Sequence, residues 1–282
     1  MLSNGKGKIR IKINVLLIYI VLVIGIIIFN FPIIWTILSS FKPSGFIISE
    51  NPVWFFKPII KHYADLFSEK GVFDFWLYFR NSLIVSISAT VLSILLSFPA
   101  AYSISRFKTG GGNLFFIILS QRMLPPIIFI IPMAILFNIY HLVDTHIGVV
   151  LIYLTFNIPF ATLVIKSFID DIPTDLEYSA YLDRYSKFDV MLKVILPLTK
   201  SGIVAVAVIC FIFSWNEFLF TLILTFVKAP TLTVGAAKFV TGYGIEWGKI
   251  AAASVISIIP TLAVGLIGQK YLVRGLTMGA VK

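Results

Sequence analysis

Ile172–Leu198 reads IPTDLEYSAYLDRYSKFDVMLKVILPL, a charged, amphipathic island between two strongly apolar stretches. A chain that only had to cross a bilayer would need a few polar residues at this point. Here there are two short helical patterns, each with its own start signal. Thr174 is followed three residues later by Glu177, a capping-box pattern in which each side chain bonds the other residue's backbone N–H. Pro173 stands just ahead and blocks extension backwards. Leu176 and Ala180 share one face. The second pattern starts at Ser186, with Asp189 at the matching position. Phe188, Met191, Leu192 and Ile195 follow at helical spacing and predict an apolar stripe. Asp189 and Lys193 stand at i, i+4 in the favourable acid-first order, and Pro197 is read as the end of the unit. The pattern predicts a compact knob of two short helices with a polar exterior, suited to docking a soluble partner at a membrane face.

The chain around it is apolar throughout. Of 282 residues, 59% are hydrophobic and 13% charged, against about 25% charged in soluble domains. Because the deficit is spread along the whole length, the chain reads as an integral membrane protein. A formal net charge of +10 would point to nucleic acid in a soluble protein. Here the bases cluster beside apolar spans, which points instead to membrane orientation and to no nucleic-acid partner. The single cysteine, Cys210, lies in an apolar run and reads as a small buried residue. Lys6, Lys8, Arg10 and Lys12 precede Val15–Leu38, a charge-free stretch longer than the roughly 7–15 residues of a signal h-region. It is read as an uncleaved first span.

A spanning helix needs about 20 mostly apolar residues. Six stretches qualify: Val15–Leu38, Ser82–Ser105, Leu114–Tyr140, Ile147–Ile165, Gly202–Val227 and Ile250–Gln269. Lipid leaves no partner for an unpaired backbone group, so these are predicted as helices. Pro32, Pro99, Pro125, Pro126, Pro132, Pro159 and Pro260 lie in or near them and predict kinks. If the N-terminus is inside, the inner loops and termini carry fourteen Lys and Arg and the outer loops eight, with Arg122 set aside. The bias predicts a multi-pass plasma-membrane protein with both termini, the Arg106–Gly112 turn and the island in the cytoplasm. The longest outer loop, Lys42–Arg80, is rich in aromatics, among them Trp54, Phe55, Phe73, Phe75, Trp76 and Tyr78. They read as an interfacial belt or as a contact surface for an extracytoplasmic partner.

The island resembles the EAA loop of ABC import permeases, specifically the carbohydrate type typified by the second permease of the maltose system. Ile172, Pro173, Leu176, Ala180, Asp183, Leu196 and Pro197 match that pattern. The family's motif Glu falls on Tyr178, its first Ala on Ser179 and its Gly on Arg184, while Glu177, one residue early, reads as a cap. Ser214-Trp215-Asn216-Glu217-Phe218 is similar to the family's fifth-span signature. Asn81-Ser82, Ala101-Tyr102 with Arg106-Phe107, Arg122-Met123-Leu124-Pro125-Pro126, and the tail from Tyr271 to Lys282 fit the same family.

The resemblance implies one permease domain over residues 1–282, all-α, with six transmembrane helices and a cytoplasmic helix-turn-helix coupling loop at 172–198. It implies an ATPase-coupling set of Glu177, Tyr178, Ser179, Ala180, Asp183 and Arg184. Partners would be a second homologous permease, an ABC ATPase dimer that binds ATP and Mg, an extracytoplasmic sugar-binding protein, the sugar and membrane lipid. The stretch Arg122–Pro126 favours the branch handling small saccharides such as glucose or trehalose.

Trp215, Asn216 and Glu217 are candidates for a polar substrate pathway, since an acid within a span is expensive and usually faces a cavity or partner. Against that stand a structural hydrogen bond for Glu217 and simple packing for Trp215. Arg122 is read as structural. His141, Asp144 and His146 have a spacing that resembles a metal site, but no fourth ligand is near. Gly110-Gly111-Gly112 lacks the Gly-Lys-Ser/Thr that a phosphate-binding loop needs and reads as a turn. No catalytic constellation is evident, so the chain is read as a transport subunit without a nucleotide-binding or catalytic site. An ATP-independent secondary transporter or channel would need inverted symmetry and midplane carboxylates. A membrane enzyme would need an acid/base or metal cluster at one face.

Overall fold

The computed structural model describes residues 4–68, 73–242 and 244–278, excepting the side chains of 4–14, 16, 115, 119, 122 and 272–278. In chain order the elements are α1 (Asn4–Phe41), α2 (Ser44–Ile47), α3 (Lys61–Ser68), α4 (Phe75–Phe107), α5 (Gly111–Met123), α6 (Ile130–Ile139), α7 (His146–Asp170), α8 (Asp175–Leu182), α9 (Lys187–Val190), α10 (Leu196–Asn216), α11 (Leu219–Leu224) and α12 (Leu232–Ala237). A two-stranded antiparallel hairpin, β1 (Val240–Thr241) and β2 (Gly244–Ile245), precedes the last helix, α13 (Trp247–Met278). Among the described residues five stretches are helical, long and apolar enough to cross a membrane: Leu17–Phe41, Phe75–Phe107, His146–Asp170, Lys187–Asn216 and Trp247–Tyr271.

The chain packs as two compact units. The first, Met1–Ser68 with Phe239–Ile256, holds α1, whose described apolar side chains up to Ile34 are exposed. Lys42 is buried there, its ammonium 4.1 Å from the centre of the Trp35 ring. His62 is buried too and bonds the Lys42 carbonyl at 2.8 Å.

The second unit, Glu69–Lys238 with Ser257–Lys282, is built on α4, α7 and α10. The buried face of α4 is a run of small residues, Ser82, Ser86, Ala89, Ser93, Ser97 and Ala101, at helical spacing. Small residues let helix backbones approach closely where no hydrophobic force drives helices together in lipid. On α10, Gly202 serves the same end: a Cβ there would meet the Phe168 ring at 2.4 Å. One core joins Val85, Ala89, Ile152, Tyr153, Phe220 and Leu224. Another joins Ala101, Tyr102, Ile165 and Val206 to Ala180, Val190 and Ile195 of the island.

Three expected spans differ in form. The first α4 residue is Phe75, not Ser82, and Phe73, Phe75 and Tyr78 are buried core rather than belt residues. The stretch Leu114–Tyr140 is not one helix. Leu124 is extended (ψ 133°), a 3-10 turn covers Pro126–Phe129, and α6 follows. A residue before proline is pushed out of the helical region, so Leu124 ahead of Pro125 sets the break. The stretch Gly202–Val227 breaks at Glu217, which is extended (ψ 129°).

The end read at Pro197 is corrected as well. The helix runs from Lys187 to Asn216 through a π-turn at Met191–Ile195, with the Leu196 N–H reaching the Met191 carbonyl. Proline removes a donor and crowds the carbonyl four residues back. The widened turn accommodates Pro197 where a regular helix would not.

Candidate functional site

The island is α8, a turn, and α9 leading through the π-turn into α10. The turn is a Schellman motif. The Tyr185 N–H reaches the Ala180 carbonyl at 3.1 Å and the Arg184 N–H reaches Tyr181 at 3.0 Å. Arg184 takes the left-handed position, φ 62°, where glycine is usual. The turn geometry of a glycine is therefore kept by an arginine, at a cost of roughly 1–2 kcal/mol. The predicted box at Ser186 forms: Ser186 Oγ accepts from the Asp189 N–H at 3.1 Å, and Asp189 accepts from the Ser186 N–H at 3.3 Å. Lys193 pairs with Asp189 at 2.7 Å.

The box expected at Thr174 and Glu177 does not form. Thr174 has helical backbone angles and its side chain caps nothing. Glu177 is turned inward, only 4% exposed. Its Oε1 pairs with Arg106 Nε, and its Oε2 accepts from the Tyr102 hydroxyl at 2.9 Å. A carboxylate gains more from a guanidinium and a phenol than from one backbone N–H. Arg106 Nη2 also donates to the Ile172 carbonyl at 2.8 Å. Tyr102 and Arg106 lie one turn apart on α4, so both donors leave the same helix face.

The coupling set divides accordingly. Glu177 and Ala180 are buried in the chain's own packing. Tyr178, Ser179, Asp183 and Arg184 are exposed. The expected stripe also splits. Met191 and Ile195 are buried, while Phe188 and Leu192 face out, each pair four residues apart on its own face. The exterior is not only polar: Leu176, Tyr178 (62% exposed), Leu182, Tyr185 and Phe188 (65% exposed) are exposed aromatic and aliphatic side chains among the polar ones.

Trp215 and Glu217 make the packing and hydrogen-bonding contacts that were weighed beside the pathway reading. Trp215 is 2% exposed, its indole N–H donates to the Ser257 carbonyl at 3.0 Å, and its ring stacks on Phe211 with centroids 5.7 Å apart. Glu217 accepts from the Phe220 N–H at 2.9 Å, the Thr221 N–H at 3.2 Å and the Thr221 hydroxyl at 2.9 Å. Packing and structural hydrogen bonding describe these two residues. Asn216 is exposed, with its amide on the Ile212 carbonyl at 2.8 Å. The side chain of Arg122 and the motif residues from Leu272 onward lie outside the described side chains.

Reading by spacing missed a second polar node. Asn81 donates to the carbonyls of Lys228 (3.0 Å) and Pro230 (3.1 Å), and its Oδ1 meets His146 Nε2 at 2.8 Å. Ser82 Oγ accepts from the Leu232 N–H at 2.8 Å. Asp144, at φ 58°, gathers the N–H groups of Phe226 (2.9 Å), Val227 (3.1 Å), Lys228 (2.9 Å) and Ala229 (3.2 Å). Burial disfavours the charged carboxylate, and the four N–H bonds together outweigh it, so the Asp144 pKa is held below its ordinary value. Asp144 and His146 are thus engaged with the chain itself. Among the described residues no group of three or more His, Cys, Asp and Glu is arranged for a metal.

Several helices long and apolar enough to cross a membrane, with a charged helical island between two of them, define a multi-pass membrane subunit. The chain belongs to the family of binding-protein-dependent transport system inner membrane components, whose model matches residues 93–278. It is 37% identical over 255 residues to the probable ABC transporter permease protein y4oR of Sinorhizobium fredii, covering 90% of this chain and 91% of that one. It is 32% identical to the trehalose/maltose transport system permease protein MalG of Thermococcus litoralis, covering 92% and 94%. Its fold is that of a chain in a crystal structure of a bacterial ABC transporter involved in the import of the acidic polysaccharide alginate. That likeness has a TM-score of 0.74 at 22% identity and covers 96% of this chain and 99% of that one.

Proposed function

We infer that the chain is one permease subunit of an ATP-driven saccharide importer, a single permease domain over residues 1–282. A separate ABC ATPase dimer holds ATP and Mg and docks on the island. A second related permease completes the pathway, and an extracytoplasmic binding protein delivers the sugar. Closure of the ATPase dimer displaces the island and switches the pathway between inward- and outward-facing states. Relatives named for diacetylchitobiose, trehalose/maltose and arabinooligosaccharides support carbohydrate as the substrate class. Of the two small sugars favoured by the Arg122–Pro126 stretch, trehalose gains from the relative named for it.

The observation that carries this reading is the exposed patch of Tyr178, Leu182, Tyr185 and Phe188 on a knob whose fold is secured from beneath. Aromatics surrounded by excluded water dominate docking energy, at about 2 kcal/mol or more for a central one. Phe188→Asp or Tyr178→Asp is therefore expected to weaken ATPase association roughly 30-fold while membrane insertion is unchanged. Co-purification of the ATPase with the tagged permease measures it. Undiminished association of both variants would remove the island as the docking site.

A further inference from the structure

We propose that Arg106, Glu177 and Tyr102 form a strut that locks the island to α4, so that a displacement imposed on the exposed patch carries α4 with it instead of bending the island away. The inference rests on the docking reading above and adds the residues that make docking mechanically effective.

The island is joined to the rest of its unit by two covalent connections, and neither is a regular α-helix. On one side the chain leaves α7 through the non-helical Asp171–Pro173 segment. On the other it enters α10 through the π-turn at Met191–Ile195, where the ladder of hydrogen bonds is already rephased. A push on the patch could be absorbed as rotation at these two places. Apolar packing of Ala180, Val190 and Ile195 opposes rotation, and the directional restraint comes from the polar cross-connection to α4.

That connection has the properties of a stiff joint. The pair is buried, with the Arg106 and Glu177 side chains 10% and 6% exposed. Each carboxylate oxygen has its own donor, Arg106 on one and Tyr102 on the other. The same guanidinium ties the Ile172 carbonyl at 2.8 Å, the point where the chain departs α7. Moving the island would strand a buried charge, which the low-dielectric surroundings strongly oppose. A second tie, Ser105 Oγ to Asp170 Oδ1 at 2.5 Å, joins α4 to the end of α7, so the strut's load is shared by both long helices.

The strut uses no outward-facing side chain. Tyr178, Leu182, Tyr185 and Phe188 lie on the exposed surface of the same short elements. Docking and transmission are therefore separable by mutation. Arg106, Glu177 and Tyr102 act as positioning residues, through the island and not on the substrate.

The test is a distance. Nitroxide labels introduced through Asp175→Cys, exposed on the island outside the docking patch, and Leu96→Cys on α4, in a Cys210→Ala background, are measured by pulsed electron resonance in the full complex with its ATPase. With the strut intact, the distance distribution is expected to be the same without nucleotide and with trapped ATP. With Glu177→Gln it is expected to shift or broaden when ATP binds, while ATPase co-purification stays at the parent level. A Glu177→Gln distribution that remains independent of nucleotide overturns the strut. So does a parent distribution that moves with ATP. Should Glu177→Gln fail to assemble, Tyr102→Phe removes the hydroxyl's bonds to Glu177 and Tyr181 and leaves the ion pair, and a partial broadening is expected. Its absence overturns the proposal equally. Failure of the parent to bind the ATPase sinks the docking reading itself, and is told apart from failure of the strut because it appears in the pull-down before any distance is read.

Discussion

Asp144 shows at the scale of one residue how a charge can be structural. Its carboxylate fills a cradle of four consecutive backbone N–H groups that would otherwise go unpaired. Hydrogen bonds to a charged group are worth about 1.5–3 kcal/mol each at most, and the partial exposure of Asp144 reduces the sum. Asp144→Asn puts an amide N–H against those donors and is expected to lower stability by about 1–2 kcal/mol at pH 7. The sign with pH follows from the depressed folded-state pKa. The contribution is fully present above the unfolded value of about 3.9, and it is lost as pH falls through the lower folded value. Thermal unfolding in detergent should therefore separate parent from variant at neutral pH and show the gap closing below about pH 4. A gap independent of pH would mean the carboxylate's charge does nothing there. Glu177 marks the limit of local reading at this scale. Three-residue spacing suggested a cap at Thr174, but its partner Arg106 lies 71 residues away, and nothing in the spacing announces it.

Elements were legible where period and length agree, and illegible where a single residue interrupts them. The box at Ser186 and the Asp189–Lys193 pair both follow from local spacing, and both form. Hydropathy alone merged α10 with α11 because both are apolar. The break between them comes from the extended backbone at Glu217, whose carboxylate then takes the free N–H groups of Phe220 and Thr221. The break in the third stretch was legible only as a pair of prolines, and the π-turn not at all, since Pro197 read as a helix end and not as a residue that a widened turn carries within a helix. The candidate pathway residues were the least legible. A polar side chain in an apolar run looks the same whether it lines a route or satisfies its own backbone. Loss of a cap costs about 0.5–2 kcal/mol. Glu217→Ala is therefore expected to lower the unfolding free energy by about 1 kcal/mol and speed amide exchange at Phe220 and Thr221. Glu217→Gln, which keeps an acceptor, should retain most of that protection. Unchanged exchange together with an altered transport KM would instead place Glu217 on the pathway.

At the scale of the whole molecule, the asymmetry of positive charge is the signal that orients the chain. Lys and Arg near a span resist transfer across the bilayer, so the side richer in them stays inside. Fourteen of these residues flank one side of the expected spans and eight the other. Among the fourteen, Arg184, Lys187 and Lys193 lie on the island, which is also where an ATPase must be met if the proposed function holds. The two arguments are independent, one from charge and one from the apolar patch, and they choose the same face. The test uses Cys210 as an internal control. It is fully buried, so a membrane-impermeant thiol reagent should leave it unlabelled in the folded protein. In sealed right-side-out vesicles, Lys187→Cys is expected to stay unlabelled until the membrane is opened, and in inverted vesicles to react at once. Labelling of Lys187→Cys from the outside only would place the patch away from ATP, and no arrangement of partners could then couple hydrolysis to this chain through the island.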